Sequence, residues 1–167
     1  MVLMMELSYL QNRYDVLENK QGYQFTTVAG VDYLLTFISY PAVSDFLSTD
    51  IYMFNIERVS NIEVSNVGQD DVRVRNTILY VLDVFFQSHK DALITICEMI
   101  DGKQFARKRL FDSWFHEFNQ NRLIKLESDC LIDNVPTFVS LIFSAEHSDQ
   151  KGLRDAFQEL IEINFYN

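Results

Sequence analysis

The stretch that decides the fold is DDVRVRNTILYVLDVFFQSHKDALITIC, Asp70–Cys97. Its first part repeats apolar residues at helical spacing: Val74, Ile78, Val81, Leu82 and Phe85, with Leu79 and Phe86 widening the stripe. Such a stripe turns one face of a 3.6-residue repeat toward a core. Asp70 and Asp71 stand just before it, where carboxylates accept from unpaired amides and suit the positive end of the helix dipole. The pattern then changes. Ala92–Cys97, ALITIC, is a continuous apolar run of strand length, which predicts a central strand covered on both faces. Helix and buried strand in succession require a sheet with helices packed on it.

Working upstream, YQFTT alternates Tyr23 and Phe25 with Gln24 and Thr26, and VDYLLTFI places Val31, Tyr33, Leu35 and Phe37 at period two. Two such runs around Gly30 predict a hairpin. Asn19–Gly22 reads as a turn, because Asn and Gly tolerate positive φ. Pro41 ends the second run, residues 41–49 read as a loop, and IYMFNIERV from Ile51 reads as a third strand. Residues 3–13 read as a short helix, and 1–20 as an N-terminal extension.

Downstream, Asp101-Gly102 is a turn, and 103–118 is a second helix with Phe105, Leu110, Phe111, Trp114, Phe115 and Phe118 inward. RLIKLE and PTFVSLIFS form a strand pair joined by a polar loop over 128–134, and Ser148 caps a last helix. The expected class is α+β, with a mixed, mostly antiparallel sheet in a single domain spanning 1–167.

Composition narrows the function. The formal net charge is -10, with 24 acidic and 14 basic residues. That balance opposes non-specific nucleic-acid binding, which needs a basic surface to neutralise phosphates. No segment approaches the roughly 18 apolar residues of a membrane span, and MVLMMEL lacks the basic leader of a signal peptide. Cys97 and Cys130 have no metal-ligand spacing and read as free thiols in a reducing cytoplasm. His89, His116 and His147 show no HxH or HxxxH spacing, so no metal site is expected. His116 beside Glu117 could form an acid–base pair, but such a residue is more often an ordinary helix-end histidine. Cys97 sits near Glu98 and Asp101, which would raise its pKa and weaken a nucleophile.

Three antiparallel strands, a helix, a strand, a helix and a closing strand pair resemble the core of the GCN5-related N-acetyltransferase fold. The resemblance covers about residues 22–145 and lacks that fold's early helix pair. It implies acetyl-coenzyme A held on backbone amides where the first core helix begins, in a motif of Gln or Arg, two residues, Gly, one residue, then Gly or Ala. Arg73 would open that motif here. Asn76 would take the first glycine position and Ile78 the second, with Gly68 standing alone in the loop before them. Ile78 sets a β-branched side chain where a phosphate should lie, and Asp70 and Asp71 repel it, so no cofactor is expected. In sequence, YQFTTVAGVDYLLTF, DVRVRNTILYVLDVFF and DGKQFARKRLFDSWF resemble an uncharacterised protein family of Bacteroidetes-type bacteria. That resemblance implies bacterial origin and no assigned activity.

The last of these stretches concentrates positive charge. Lys103, Arg107, Lys108 and Arg109 lie in the first two turns of the expected helix, where the dipole disfavours cations. An anion near Gly102, Lys103 and Arg107 would reverse that penalty. The site expected from sequence is therefore an anion- or partner-binding surface at Gly102, Lys103, Arg107, Lys108 and Arg109, weighed against a solvated, ion-paired helix face. The expected function is a non-catalytic or degenerate acyltransferase-like module for a protein partner or small anion. The alternatives are an active N-acyltransferase using acetyl-coenzyme A through an atypical loop at 68–78, and a weak nucleic-acid binder at 103–109. Exposed sheet edges would also permit a homodimer.

Overall fold

The computed structural model describes residues 11–40, 47–59, 72–87, 90–98, 108–109, 112–113, 115–116, 119–132 and 134–165. The strands are β1 Leu17–Asn19, β2 Gly22–Thr26, β3 Asp32–Tyr40, β4 Ile51–Arg58, β5 Ala92–Glu98, β6 Leu123–Ile132 and β7 Val135–Ser144. The helices with described bounds are α1 Val72–Phe86 and α2 Gln150–Phe165. Lys108, Arg109, Asp112, Ser113, Phe115, His116 and Asn119 are also helical.

The strands form one mixed sheet in the order β1-β2-β3-β4-β5-β7-β6. β1–β2, β2–β3, β5–β7 and β6–β7 pair antiparallel, while β4 and β5 run parallel. A parallel pair needs a crossover connection rather than a tight turn, and α1 lies in that connection. The class is α+β, as the sequence predicts. By internal contacts the chain forms two compact units, residues 1–37 with 55–87 and residues 38–54 with 88–167. β3 and β4 supply residues to both.

In the first unit, Tyr23 and Phe25 of β2 sit opposite Leu35 and Tyr33 of β3. Their period-two spacing puts all four on one face. Tyr14, Phe25 and Tyr33 stack successively, with ring centroids 5.8 and 5.1 Å apart. Phe37 stacks on Phe85 of α1 at 4.7 Å. The predicted stripe of α1 is confirmed by buried Val74, Ile78, Leu79, Val81 and Phe86. Asn76 and Thr77 are also buried, which apolar spacing did not predict.

In the second unit, Ala92 and Ile94 of β5 and Val139, Leu141 and Phe143 of β7 pack with Leu153, Phe157 and Leu160 of α2 in one core. Burial of a side chain like Leu153 stabilises by roughly 2 kcal/mol. The apolar run ALITIC earns its place there: β5 pairs β7 over all seven of its residues and β4 through Ala92–Ile94.

Three local readings are corrected. β1 is an unpredicted three-residue strand. Ser128–Ile132 is strand, not loop, because β6 continues in register with β7 to the Ile132–Val135 pair. Ser128 and Asp129 tolerate this at the sheet's end, where solvent solvates their polar groups, while Cys130 turns toward the core. The turn is confined to the next two positions, where Asn134 has φ of 65°. The cap of α2 is Asp149 rather than Ser148. Its Oδ1 accepts from Gly152 N–H at 2.9 Å and its carbonyl from Leu153 N–H at 3.2 Å. Pro136 lies one residue outside the last β5–β7 pair, Glu98–Thr137, so its missing N–H costs no bond to β5. Residues 3–10 of the expected 3–13 helix and the Asp70–Asp71 cap fall outside the described residues; Gln11 is helical, but Asn12 and Arg13 form a bend rather than helix.

The β1–β2 turn works as read. Asn19 Oδ1 accepts from the N–H groups of Gln21 and Gly22 at 2.8 and 3.1 Å. Gly22 has φ of 147°, and a Cβ there would lie 2.1 Å from the Leu35 carbonyl oxygen. Gly22→Ala is therefore expected to cost about 1–3 kcal/mol and to lower the urea midpoint with an unchanged m-value. An unchanged midpoint would show that the hairpin relaxes without strain.

Candidate functional site

Of the basic stretch, Lys108 and Arg109 are described; Gly102, Lys103 and Arg107 lie outside the described residues. Arg109 is exposed. Lys108 is held in a cluster of alternating charge. Its Nζ is 2.6 Å from Asp112 Oδ2 and 3.8 Å from Glu127 Oε1. Lys125 Nζ pairs with Asp112 Oδ1 and lies 2.8 Å from Glu127 Oε1. Two lysines thus share two carboxylates.

Local sequence positions each member. Lys108 and Asp112 are four apart on a helix and meet on one face. Lys125 and Glu127 are two apart on β6 and share one side of the sheet. Ile124, Leu126 and Cys130 take the other side, against the core that contains α2. Aromatic rings flank the ammonium groups: Lys108 lies 5.5 Å from the Phe138 centroid, and Lys125 lies 5.3 Å from that of Phe115. Lys125 keeps only 10% of its side-chain exposure. A half-buried ammonium needs partners on this scale.

The titrations follow the geometry. Burial would raise the Asp112 pKa, but hydrogen bonds from Lys108 and Lys125 and their charges outweigh it and hold the carboxyl below its ordinary value. The Asp112 hydrogen bond raises Lys108, with Glu127 and Asp129 adding to it against burial. The charges of the two lysines are therefore balanced within the cluster by its own two carboxylates.

The residues expected at a cofactor loop have other occupations. Gly68 lies outside the described residues. Asn76 donates its side-chain amide to the Asn12 carbonyl at 2.8 Å. Arg73 reaches the Arg13 carbonyl at 3.3 Å, and its guanidinium stands 4.0 Å over the Tyr14 ring. Tyr14 N–H donates to Thr77 Oγ1 at 2.9 Å, whose hydroxyl donates to the Arg73 carbonyl at 2.6 Å. Ile78 is 2% exposed. The first turns of α1 thus spend their polar side chains on residues 12–14.

His147 is buried and structural in its bonding. Its Nδ1 accepts from Asp149 N–H at 2.9 Å, so Nε2 carries the proton and donates to the Lys90 carbonyl at 2.9 Å. Thr49 Oγ1 is 3.1 Å from the same nitrogen. The imidazole thereby ties together the segments before β4, before β5 and after β7. Burial, then the Asp50 charge, raises the pKa of nearby Asp91 against the opposing His147 and Lys90. His116 is helical and exposed. Cys130 carries a free thiol, pushed up to about 11 by burial and Asp129, which leaves it a poor nucleophile. The backbone of Cys97 pairs with Phe138 in the sheet.

Among the described residues, no three potential metal ligands gather in one place, and no helix is long and apolar enough to cross a membrane. An apolar cavity between α2 and the sheet, lined by Tyr40, Ile51, Ile94, Leu141, Ala156 and Phe157 among others, has a volume of about 10 Å³. Ligand pockets are typically about 300–1,000 Å³, so it is a packing void.

Residues 70–159 match the model of a family of unknown function, DUF6169. The chain belongs to this family. The match to DUF6169 runs from just before α1 into the second half of α2 and includes both lysines and both carboxylates of the charged cluster. No curated protein and no solved structure matches the chain.

Asp112 predicts a pH dependence. Because its folded pKa is depressed, its contribution is complete above the ordinary aspartate value, about 4, and is lost as pH falls through the lower folded value. Lys108 behaves in the opposite sense: its contribution is complete below the ordinary lysine value, about 10.4, and fades as pH rises further. Asp112→Asn is expected to cost about 1 kcal/mol or less at neutral pH, since water screens the partly exposed pair. Urea unfolding of both proteins between neutrality and pH 2 should show the difference shrinking on acidification. A constant difference would exclude the ionised carboxylate as its source.

Proposed function

We propose that this chain is a non-catalytic bacterial module with an acyltransferase-like element order, which recognises a protein partner or small anion in the cytoplasm. The order supports the resemblance: β2, β3 and β4, then α1, β5, the helical residues around 108–119, and the β6–β7 pair. The free thiol of Cys130 fits a reducing compartment.

One observation carries the non-catalytic reading. A cofactor pyrophosphate at the start of α1 needs small residues and open amides. Asn76, at the first small-residue position, is instead bonded to Asn12, and Ile78, at the second, is buried. Recognition then falls to the basic stretch. Lys108 is already neutralised by Asp112 and Glu127, so Lys103, Arg107 and exposed Arg109 are the cations we assign to it, with Gly102 giving backbone access. An active N-acyltransferase with an atypical loop at 68–78 is the rival reading. A nucleic-acid binder at 103–109 would instead show binding that falls steeply with salt.

A thermal melt with millimolar acetyl-coenzyme A separates the first two. A ligand at about 100 times its dissociation constant adds about 2.7 kcal/mol, a shift of roughly 5–10 °C for a domain this size. No shift is expected; a shift of that size would establish the enzyme reading instead.

A second measurement addresses the basic stretch. Pyrophosphate titrated calorimetrically into the protein should bind, and the double variant Lys103→Glu, Arg107→Glu should abolish binding with the melting temperature unchanged. Binding retained by the variant would reject the assignment.

A further inference from the structure

The two ends of the sheet are not equivalent. β1, at one end, has three residues, all exposed. β6, at the other, has ten. A long edge strand presents unpaired N–H and C=O groups to any strand that can align with it. We propose that the β6 edge pairs antiparallel with the β6 edge of a second copy of this chain, with Glu127 on the two-fold axis. This inference stands apart from the basic stretch and does not depend on the preceding functional reading.

The hydrogen bonds show which groups face outward. Ala145 N–H donates to the Arg122 carbonyl at 2.9 Å, so Arg122 turns its backbone toward β7. Antiparallel ladders alternate, and the register holds without a break from Leu123–Ser144 to Ile132–Val135. The odd residues of β6 therefore direct their N–H and C=O away from β7. Leu123 confirms the phase. Its N–H donates to Asn119 Oδ1 at 2.6 Å, and its carbonyl accepts from Asn119 Nδ2 at 3.0 Å. The Asn119 carboxamide bonds Leu123 as a neighbouring strand would, and an added strand must stop there. Lys125, Glu127, Asp129 and Leu131 remain.

Charge then selects the register. An added antiparallel copy sets odd residues opposite odd residues. With Glu127 opposite Glu127 of the second copy, Lys125 faces Asp129 on both sides of the axis. Three outward residues per chain then exchange about six backbone hydrogen bonds. Shifting by two so that Lys125 faces Glu127 sets Asp129 opposite Leu123, where Asn119 already bonds the backbone, and leaves two outward residues per chain to pair instead of three. Shifting the other way sets Glu127 against Asp129 twice, and like charges directly opposite destabilise a strand pair. In the chosen register the two Glu127 carboxylates meet on the axis, but each keeps its own Lys125 Nζ at 2.8 Å. Leu131 falls opposite Leu123 of the second copy, where Asn119 already bonds the backbone, so the paired segment ends at Asp129. A contact this short falls below the area of stable dimers, roughly 1,200–2,000 Å², so the association is concentration-dependent.

Sedimentation velocity from micromolar to millimolar concentration should show the 19.6 kDa chain moving toward twice that mass. Asp129→Pro removes one outward N–H and one cross-axis charge pair and leaves the β6–β7 ladder intact; it should stay monomeric. Glu127→Cys should cross-link on oxidation roughly tenfold faster than Leu131→Cys, because Cα atoms in a hydrogen-bonded antiparallel pair lie about 5.5 Å apart, within disulfide reach. A wild-type chain that stays monomeric at millimolar concentration would overturn the proposal, even if the edge accepts a foreign strand. So would a dimer that survives Asp129→Pro, or equal cross-linking by the two cysteine variants. The cysteine pair decides the matter if Asp129→Pro does not fold.

Discussion

Two strands that run parallel cannot be joined by a tight turn, and β4 and β5 run parallel. The rest of the chain is organised by that constraint. The connection from Arg58 to Ala92 contains α1, whose apolar stripe gives the first unit its core. The parallel pair opens where Ala92 N–H donates to the Asp50 carbonyl at 3.0 Å. His147 then bonds the Lys90 carbonyl and the Asp149 amide and contacts Thr49. One imidazole thus joins the entry to β4, the entry to β5 and the passage from β7 to α2. Protein ligand sites in open sheets favour the carboxyl ends of strands. His147 stands at the amino end of the parallel pair, which accords with its bonds to the backbone.

An acidic chain also constrains where its cations can go. Lys108 and Lys125 are drawn into a cluster with Asp112 and Glu127 rather than spread over the surface. Their value is less in net energy, since partly exposed pairs contribute little, than in alignment. Asp112 bonds one lysine from its own helix and one from β6, so the helical residues around 112 are located against a particular position on the edge strand. Asn119, seven residues on, does the same by bonding Leu123 at both backbone groups. That end of the edge strand is thereby fixed by side chains from the helical residues around 112–119.

How much of this could be read beforehand depended on the range of the interaction. α1 and β5 were readable because apolar spacing and apolar continuity are local properties with strong physical causes. Lys108–Asp112 was readable in principle, as an i, i+4 pair of opposite charge. The Lys125–Asp112 pair was not, because Asp112 stands 13 residues away in sequence on another element. Asn76 and Thr77 looked like polar interruptions of a stripe. They are buried because the segment at 12–14, more than 60 residues earlier, brings its backbone to them. Ser128 and Asp129 were read as loop because polarity is a poor guide on an edge strand, where one side of the backbone is solvated. Asp149 took the cap from Ser148 by a shift of one residue, which pattern alone rarely resolves.

Element order and chemistry answer to different constraints. An order of strands and helices follows from where apolar residues recur, and many sequences satisfy it. A cofactor loop asks for something stricter: small side chains and amides left unoccupied at one helix terminus. In this chain the first turns of α1 face a competing demand, because Tyr14, Arg13 and Asn12 need acceptors, donors and an aromatic neighbour if their segment is to be held. Arg13 adds to that segment's hold by standing 3.9 Å over the Tyr80 ring. Polar groups committed to such bonds cannot also receive a phosphate without leaving buried partners unsatisfied, at about 1–3 kcal/mol for each. The start of α1 therefore serves the fold, holding residues 12–14 in place.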